Sequence, residues 1–146
     1  MDRKEFIWNC GMACLAIGGG ITSLSACSQS KTITGIISGS DLSFQASEFK
    51  IIRKDKVKYR KYIIAHNPKL RYPICIYRMD NGSYKAILMR CTHQGAELQA
   101  FGDKLQCPAH GSEFNKEGRV MNMPADKDLR TFPVRVEKDF IKISLT

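Results

Sequence analysis

Cys91-Thr92-His93-Gln94-Gly95, followed by Cys107-Pro108-Ala109-His110-Gly111-Ser112, decides how this chain is read. Each segment offers one thiolate sulfur and one imidazole nitrogen. Thirteen residues separate His93 from Cys107, enough for a short hairpin that brings the segments face to face. The four ligands then divide as cysteines on one metal and histidines on a second. A single structural zinc ion is the competing use of such a set, but zinc fingers favour C-x₂₋₄-C paired with H-x₃₋₅-H. Here the pairs are mixed, which suits two metals better than one tetrahedral ion. Gly95 and Gly111 can take positive φ and expose amide N–H groups toward a bound group, while Pro108 stiffens the second segment.

These segments resemble the ligand loops of the Rieske iron–sulfur family, C-x-H-x-G and C-P-x-H-G-S. Placing His₂ in place of Cys₂ on one iron of a [2Fe-2S] cluster defines that centre and raises its potential above that of plant-type ferredoxins. The resemblance implies an all-β fold: stacked antiparallel sheets with an inserted cluster-binding hairpin subdomain. It implies one [2Fe-2S] cluster per chain, with Cys91 and Cys107 on the inner ferric iron and His93 and His110 on the outer one. The added electron would sit on the histidine-bound iron. The free N–H of each histidine would face solvent, able to dock a quinone or redox partner and to couple proton loss to oxidation.

Further residues take their roles from the same resemblance. Ser112 occupies the position whose hydroxyl donates to a bridging sulfide, and Phe114 stands where high-potential members carry a donating tyrosine. Phenylalanine cannot donate, so the potential is expected in the lower or middle part of a range of about −150 to +300 mV. Pro124, in Met121-Asn122-Met123-Pro124-Ala125, falls where the family places a proline loop over the cluster; a simple loop proline is the other reading. Ala96 and Ala109 replace two cysteines that form a bracing disulfide in respiratory and photosynthetic members. The chain therefore reads as a disulfide-lacking variant, which sets it apart from a standard bc-complex subunit. The resemblance covers about residues 84 to 146.

The rest of the body is β-rich from about Thr32. Residues 58–64 and 73–78 read as strands, Asp80-Asn81-Gly82 as a hairpin turn, and 84–89 as the strand that delivers Cys91. Gly102-Asp103 turns the chain between 98–101 and 104–106, and Asn115 to Arg119 is a further turn. Strands over 129–136 and 140–145 close the domain. No long helix is expected outside the N-terminus. Cys75, in Tyr72-Pro73-Ile74-Cys75-Ile76-Tyr77, reads as a small buried strand residue without a disulfide partner.

Residues 1–26 read as a secretory signal peptide: Arg3 and Lys4, then an apolar run from Phe6 to Ala26. Asp2-Arg3-Lys4-Glu5-Phe6-Ile7 resembles a twin-arginine signal with Lys4 in the second arginine position. Leu24-Ser25-Ala26-Cys27 resembles a bacterial lipobox, with Cys27 the lipidated residue anchoring the protein on the periplasmic side of a membrane. Two alternatives are an uncleaved spanning helix, which takes about 20 residues, and a chance cysteine beside an ordinary cleavage site. Residues 27–35 are then a tether and 36–146 the folded domain.

The net charge of +9 concentrates between Lys50 and Arg90. A solvated strand face, attraction to anionic lipid headgroups, and steering of an acidic redox partner all fit it; nucleic acid does not suit an exported iron–sulfur protein. Only His66 remains beside the two ligand histidines. An oxygenase needs a mononuclear iron held by two histidines and a carboxylate, so this polypeptide alone is not expected to be an oxygenase. The sequence thus predicts one-electron transfer at a membrane surface, with no small-molecule substrate of its own. The alternatives are an obligate subunit of a larger oxidoreductase, either a bc-like quinol-oxidising complex or a molybdenum oxidase, and, in the non-redox class, a zinc-binding module.

Overall fold

Ile74-Cys75-Ile76-Tyr77 is apolar at every position, and the computed structural model, which describes residues 30–146, shows why. This segment lies in β7 (Ile74–Arg78), the middle strand of a sheet buried on both faces. Successive side chains of a strand point to opposite faces. Ile74 and Ile76 enter one core while Cys75 and Tyr77 enter the other. Burying each isoleucine contributes roughly 1.5–3 kcal/mol.

The central sheet runs β1 (Thr32–Thr34), β6 (Tyr62–His66), β7, β8 (Tyr84–Leu88), β13 (Thr131–Phe132). Its pairings are antiparallel except that β1 runs parallel to β6. One face packs on a four-stranded sheet of β2 (Ile36–Ser38), β3 (Asp41–Gln45), β14 (Val134–Glu137) and β15 (Phe140–Ser144). That core joins Ile63, Ala65, Ile74 and Ile76 to Leu42, Phe44, Ile141 and Ile143, with Phe49 from a short 3₁₀ turn, Ala46–Phe49. The other face packs on the sheet that carries the ligand loops: β9 (Gln99–Phe101), β10 (Lys104–Gln106), β11 (Glu113–Asn115) and β12 (Val120–Asn122). Tyr62, Cys75, Tyr77, Ile87 and Met89 meet Leu98, Leu105 and Phe114 there. A two-stranded hairpin, β4 (Lys50–Arg53) and β5 (Lys56–Tyr59), forms a small sheet of its own.

The expected all-β class, stacked sheets and inserted hairpin subdomain are all present. Three details differ from the sequence reading. Residues 58–64 are not one strand: β5 ends at Tyr59, the chain bends at Arg60-Lys61, and β6 joins another sheet. Residues 129–136 are likewise divided at Pro133, which has no N–H to continue a ladder, so β13 and β14 serve different sheets. Part of the stretch read as tether is structured, since Thr32–Thr34 pair with Ile64–His66. The signal-like residues 1–26 and Cys27 lie outside the described residues. No helix among the described residues is long and apolar enough to cross a membrane.

Candidate metal centre

Both ligand loops close with the same pair of backbone hydrogen bonds. In the first, Gly95 N–H donates to the Cys91 carbonyl at 2.9 Å and Cys91 N–H to the Ala96 carbonyl at 2.8 Å. In the second, Gly111 N–H donates to Cys107 at 3.0 Å and Cys107 N–H to Ser112 at 2.8 Å. Such a turn needs a residue of positive φ after the bend, and the glycines supply it at 77° and 80°. β9 and β10 then set the loops side by side, because Gln99 pairs with Gln106 at the end of the hairpin where the first loop ends and the second begins.

The candidate ligand side chains follow from this frame. Cys91 and Cys107 are free thiols buried within one apolar core, beside Leu98, Leu105 and Phe114. The His93 and His110 rings stand edge to face, centroids 5.0 Å apart and planes at 85°. His93 is half-buried and His110 exposed. The Nδ1 atom of His93 is shut off from solvent and has no hydrogen-bond partner. An orphaned buried polar atom costs about 1–3 kcal/mol, and a metal bond is the satisfaction an imidazole nitrogen commonly takes. Two soft buried sulfurs with two imidazoles at their outer edge fit a [2Fe-2S] cluster. Among the described residues, no three His, Cys, Asp or Glu side chains gather as ligands of a single metal ion.

Residues around the loops hold them in place, and most of these carried no signal in the sequence. The Tyr72 hydroxyl donates to the Gly95 carbonyl at 2.8 Å, and Thr92 Oγ1 donates to the Lys127 carbonyl at 2.6 Å. Asn122 Nδ2 reaches the Gly111 carbonyl at 3.3 Å. Ser112, a buried polar residue inside the core, accepts from Ala125 N–H through its Oγ at 3.0 Å. Segment 121–127 therefore ties both loops together without a disulfide. Pro124 itself is exposed, and the inward contact of this segment is Ala125. Phe114 is fully buried opposite Leu105, a donor-free surface behind the cysteines. Ala96 packs on the core and Ala109 is exposed, so neither alanine bridges the loops.

Other residues singled out earlier stand apart. His66 is exposed at the end of β6 and does not join the site. Cys75 is sealed in the core, where burial pushes its thiol well above the ordinary range. Burial also drives up its neighbour Tyr77, whose hydroxyl lies against the Cys75 thiol.

Residues 47–133 match the family model of the Rieske [2Fe-2S] domain. In a solved structure, the cyanobacterial plasma membrane Rieske protein PetC3 from Synechocystis PCC 6803 superposes with a TM-score of 0.51. It is 29% identical, and the match covers 57% of this chain and 86% of that one. The cytochrome b6-f complex iron-sulfur subunit 2 of Nostoc sp. strain PCC 7120 is 37% identical over 60 residues, 40% of this chain and 34% of that protein. The oxygenase component of chloroacetanilide N-alkylformylase from Rhizorhabdus wittichii is 37% identical over 71 residues, 42% of this chain and 20% of that protein. The chain thus spans about a third or less of these two curated relatives. It belongs to the Rieske [2Fe-2S] family, and its cofactor is the family's cluster.

Proposed function

We propose that Cys91 and Cys107 bind one iron of the cluster and His93 and His110 the other, in an exported one-electron carrier with no substrate of its own. The observation that carries this reading is the pair of matching loops, which turn two thiols into the core and set two imidazoles at its outer edge. When bound, the cluster supplies the one-electron couple. The protein's residues do the rest. Leu98, Leu105 and Phe114 exclude water from the cysteine side. Exposed His110, with Pro108, Ala109 and Pro124 exposed beside it, offers a small apolar landing site for a quinone or a redox protein. Ser112 accepts from Ala125 and keeps its own hydroxyl proton to donate toward the cluster, while Phe114 withholds a second donor. A low-to-middle potential follows.

Membrane attachment through Cys27 on the periplasmic side belongs to the same proposal, supported by the charge and apolarity of residues 1–27. The second reading, a subunit of a larger oxidoreductase, is favoured by likeness to a cytochrome b6-f subunit and to an oxygenase component. Its discriminating observation is copurification of a stable partner.

Ligand assignment is tested by visible absorption and iron content of the full chain purified without oxygen. His93→Ala and Cys107→Ser are expected to lose the colour and the iron, whereas Cys75→Ser keeps both. Retention of a full cluster in either ligand variant would refute the assignment.

A further inference from the structure

The β4–β5 hairpin plays no part in either core, yet its composition is the most biased in the protein. Seven of residues 50–61 are Lys or Arg, against Asp55 alone. Among the described residues only Lys61 of these is ion-paired, to Asp103 at 3.2 Å. The register pairs Ile52 with Val57 and Lys50 with Tyr59, so these four share one face. Ile52 is 74% exposed, Val57 53% and Tyr59 44%, an apolar strip on which, among the described residues, the Arg78 guanidinium covers the Tyr59 ring. Arg53, Lys56 and Lys58 occupy the other face, and Lys54 the tip.

Position in the fold adds the second observation. The hairpin joins the central sheet at Tyr62, beside Tyr77 and Arg78, whereas the ligand loops leave it from the opposite end, at Leu88 and Pro73. Five-residue strands separate the two ends by roughly 15 Å. The chain enters at the hairpin end too: the Lys31 carbonyl accepts from Ile64 N–H, and the Lys31 ammonium pairs with Glu48 at the hairpin's base. Lys31, at the start of the described residues, therefore lies beside the hairpin and away from the histidines. A redox protein docked here would sit at the wrong end for electron exchange. A bilayer would meet the domain at this end.

We propose that the β4–β5 hairpin docks on an anionic phospholipid surface. Ile52, Val57 and Tyr59 enter the interface. The long stems of the surrounding lysines and arginines carry their charges to the headgroups. Docking fixes the domain with its ligand loops facing away from the bilayer. The membrane attachment through Cys27 proposed above, on which this inference rests, raises the hairpin's local concentration at the surface, and the anionic dependence of the contact belongs to the hairpin alone.

The test uses the full chain with Trp8→Phe and Val57→Trp, so that the exposed hairpin strand carries the only indole. It is bound to phosphatidylcholine vesicles and, separately, to vesicles of phosphatidylcholine mixed with phosphatidylglycerol. The expected result is blue-shifted emission, quenched by spin-labelled lipid, on the mixed vesicles only and reversed by high salt. Exchanging Lys54, Lys56 and Lys58 for Gln is expected to weaken docking about fivefold per residue. Amide hydrogen exchange of the hairpin in the unsubstituted chain gives the same reading without the reporter: protection on mixed vesicles only. Water-like emission and fast exchange on both vesicles would overturn the proposal. So would equal shifts on both, which would mean apolar contact without headgroup recognition. Protection by a soluble acidic protein but by neither vesicle would replace the membrane with a protein partner.

Discussion

The loops at Cys91 and Cys107 close with the same hydrogen bonds and the same left-handed glycine, yet their histidines fall at different places. His93 follows its cysteine by two residues and His110 by three. On a shared turn, that one-residue offset leaves His93 half-buried, with Nδ1 out of reach of water, and His110 in solvent. The supports differ as well. Tyr72 and the Thr92–Lys127 bond hold the first loop, while the second rests on the longer Asn122 contact and on Ser112 inside the core. One backbone device thus serves two ends: a fixed inner loop, and an outer loop that pairs an accessible histidine with a buried hydroxyl.

The largest expected effect breaks the comparison at Ser112. A hydrogen bond to a charged acceptor is worth about 1.5–3 kcal/mol. Ser112→Ala is therefore expected to lower the midpoint potential by roughly 60–130 mV in a redox titration. An unchanged potential would mean that Ser112 serves only Ala125. Phe114→Tyr is expected to act in the opposite direction and more weakly, raising the potential by roughly 40 mV for a bond of about 1 kcal/mol. No rise would leave Phe114 as packing alone.

The supports give a smaller effect. Thr92→Val removes a short bond from the inner loop and is expected to cost about 1 kcal/mol, or roughly 3–5 °C in thermal midpoint. Asn122→Ala should cost less, and the reverse order would show that the outer loop is the firmly held one. The smallest effect, nil at neutral pH, uses Cys75 as a third thiol against which the two ligand thiols are judged. Burial raises its pKa above the unfolded value, so the folded state holds that proton longer. Stability is then complete below about pH 8.5 and declines as pH rises above it, because the unfolded thiol ionises first. Chemical denaturation across alkaline pH should show this decline before tyrosine ionises, and Cys75→Ala should flatten it.

Legibility in the sequence tracked how local the determining interaction is. The β9–β10 hairpin and both ligand loops could be read because Gly95, Gly102 and Gly111 punctuate a short stretch with fixed ligand spacing. β7 could be read as a strand, and its two-faced burial explains its lack of alternation. The breaks at Arg60-Lys61 and Pro133 could not be placed, because two strands in line look like one until each is assigned to its sheet. Parallel pairing of β1 with β6 depends on residues some thirty positions apart. Thr92, Asn122 and Tyr72 were missed for the same reason. Their partners are backbone carbonyls of distant loops, and no residue pattern marks a carbonyl as an acceptor.

The central claim is that the two loops hold one cluster between them, sulfur ligands on one iron and nitrogen ligands on the other. Electron paramagnetic resonance of the dithionite-reduced full chain, with pulsed detection of nitrogen couplings, tests it most directly. The account predicts a rhombic signal with average g below the free-electron value and couplings from two histidine nitrogens, one of them lost in His110→Cys. A colourless, silent protein holding one equivalent of zinc, or a reduced cluster without histidine nitrogen coupling, would contradict it.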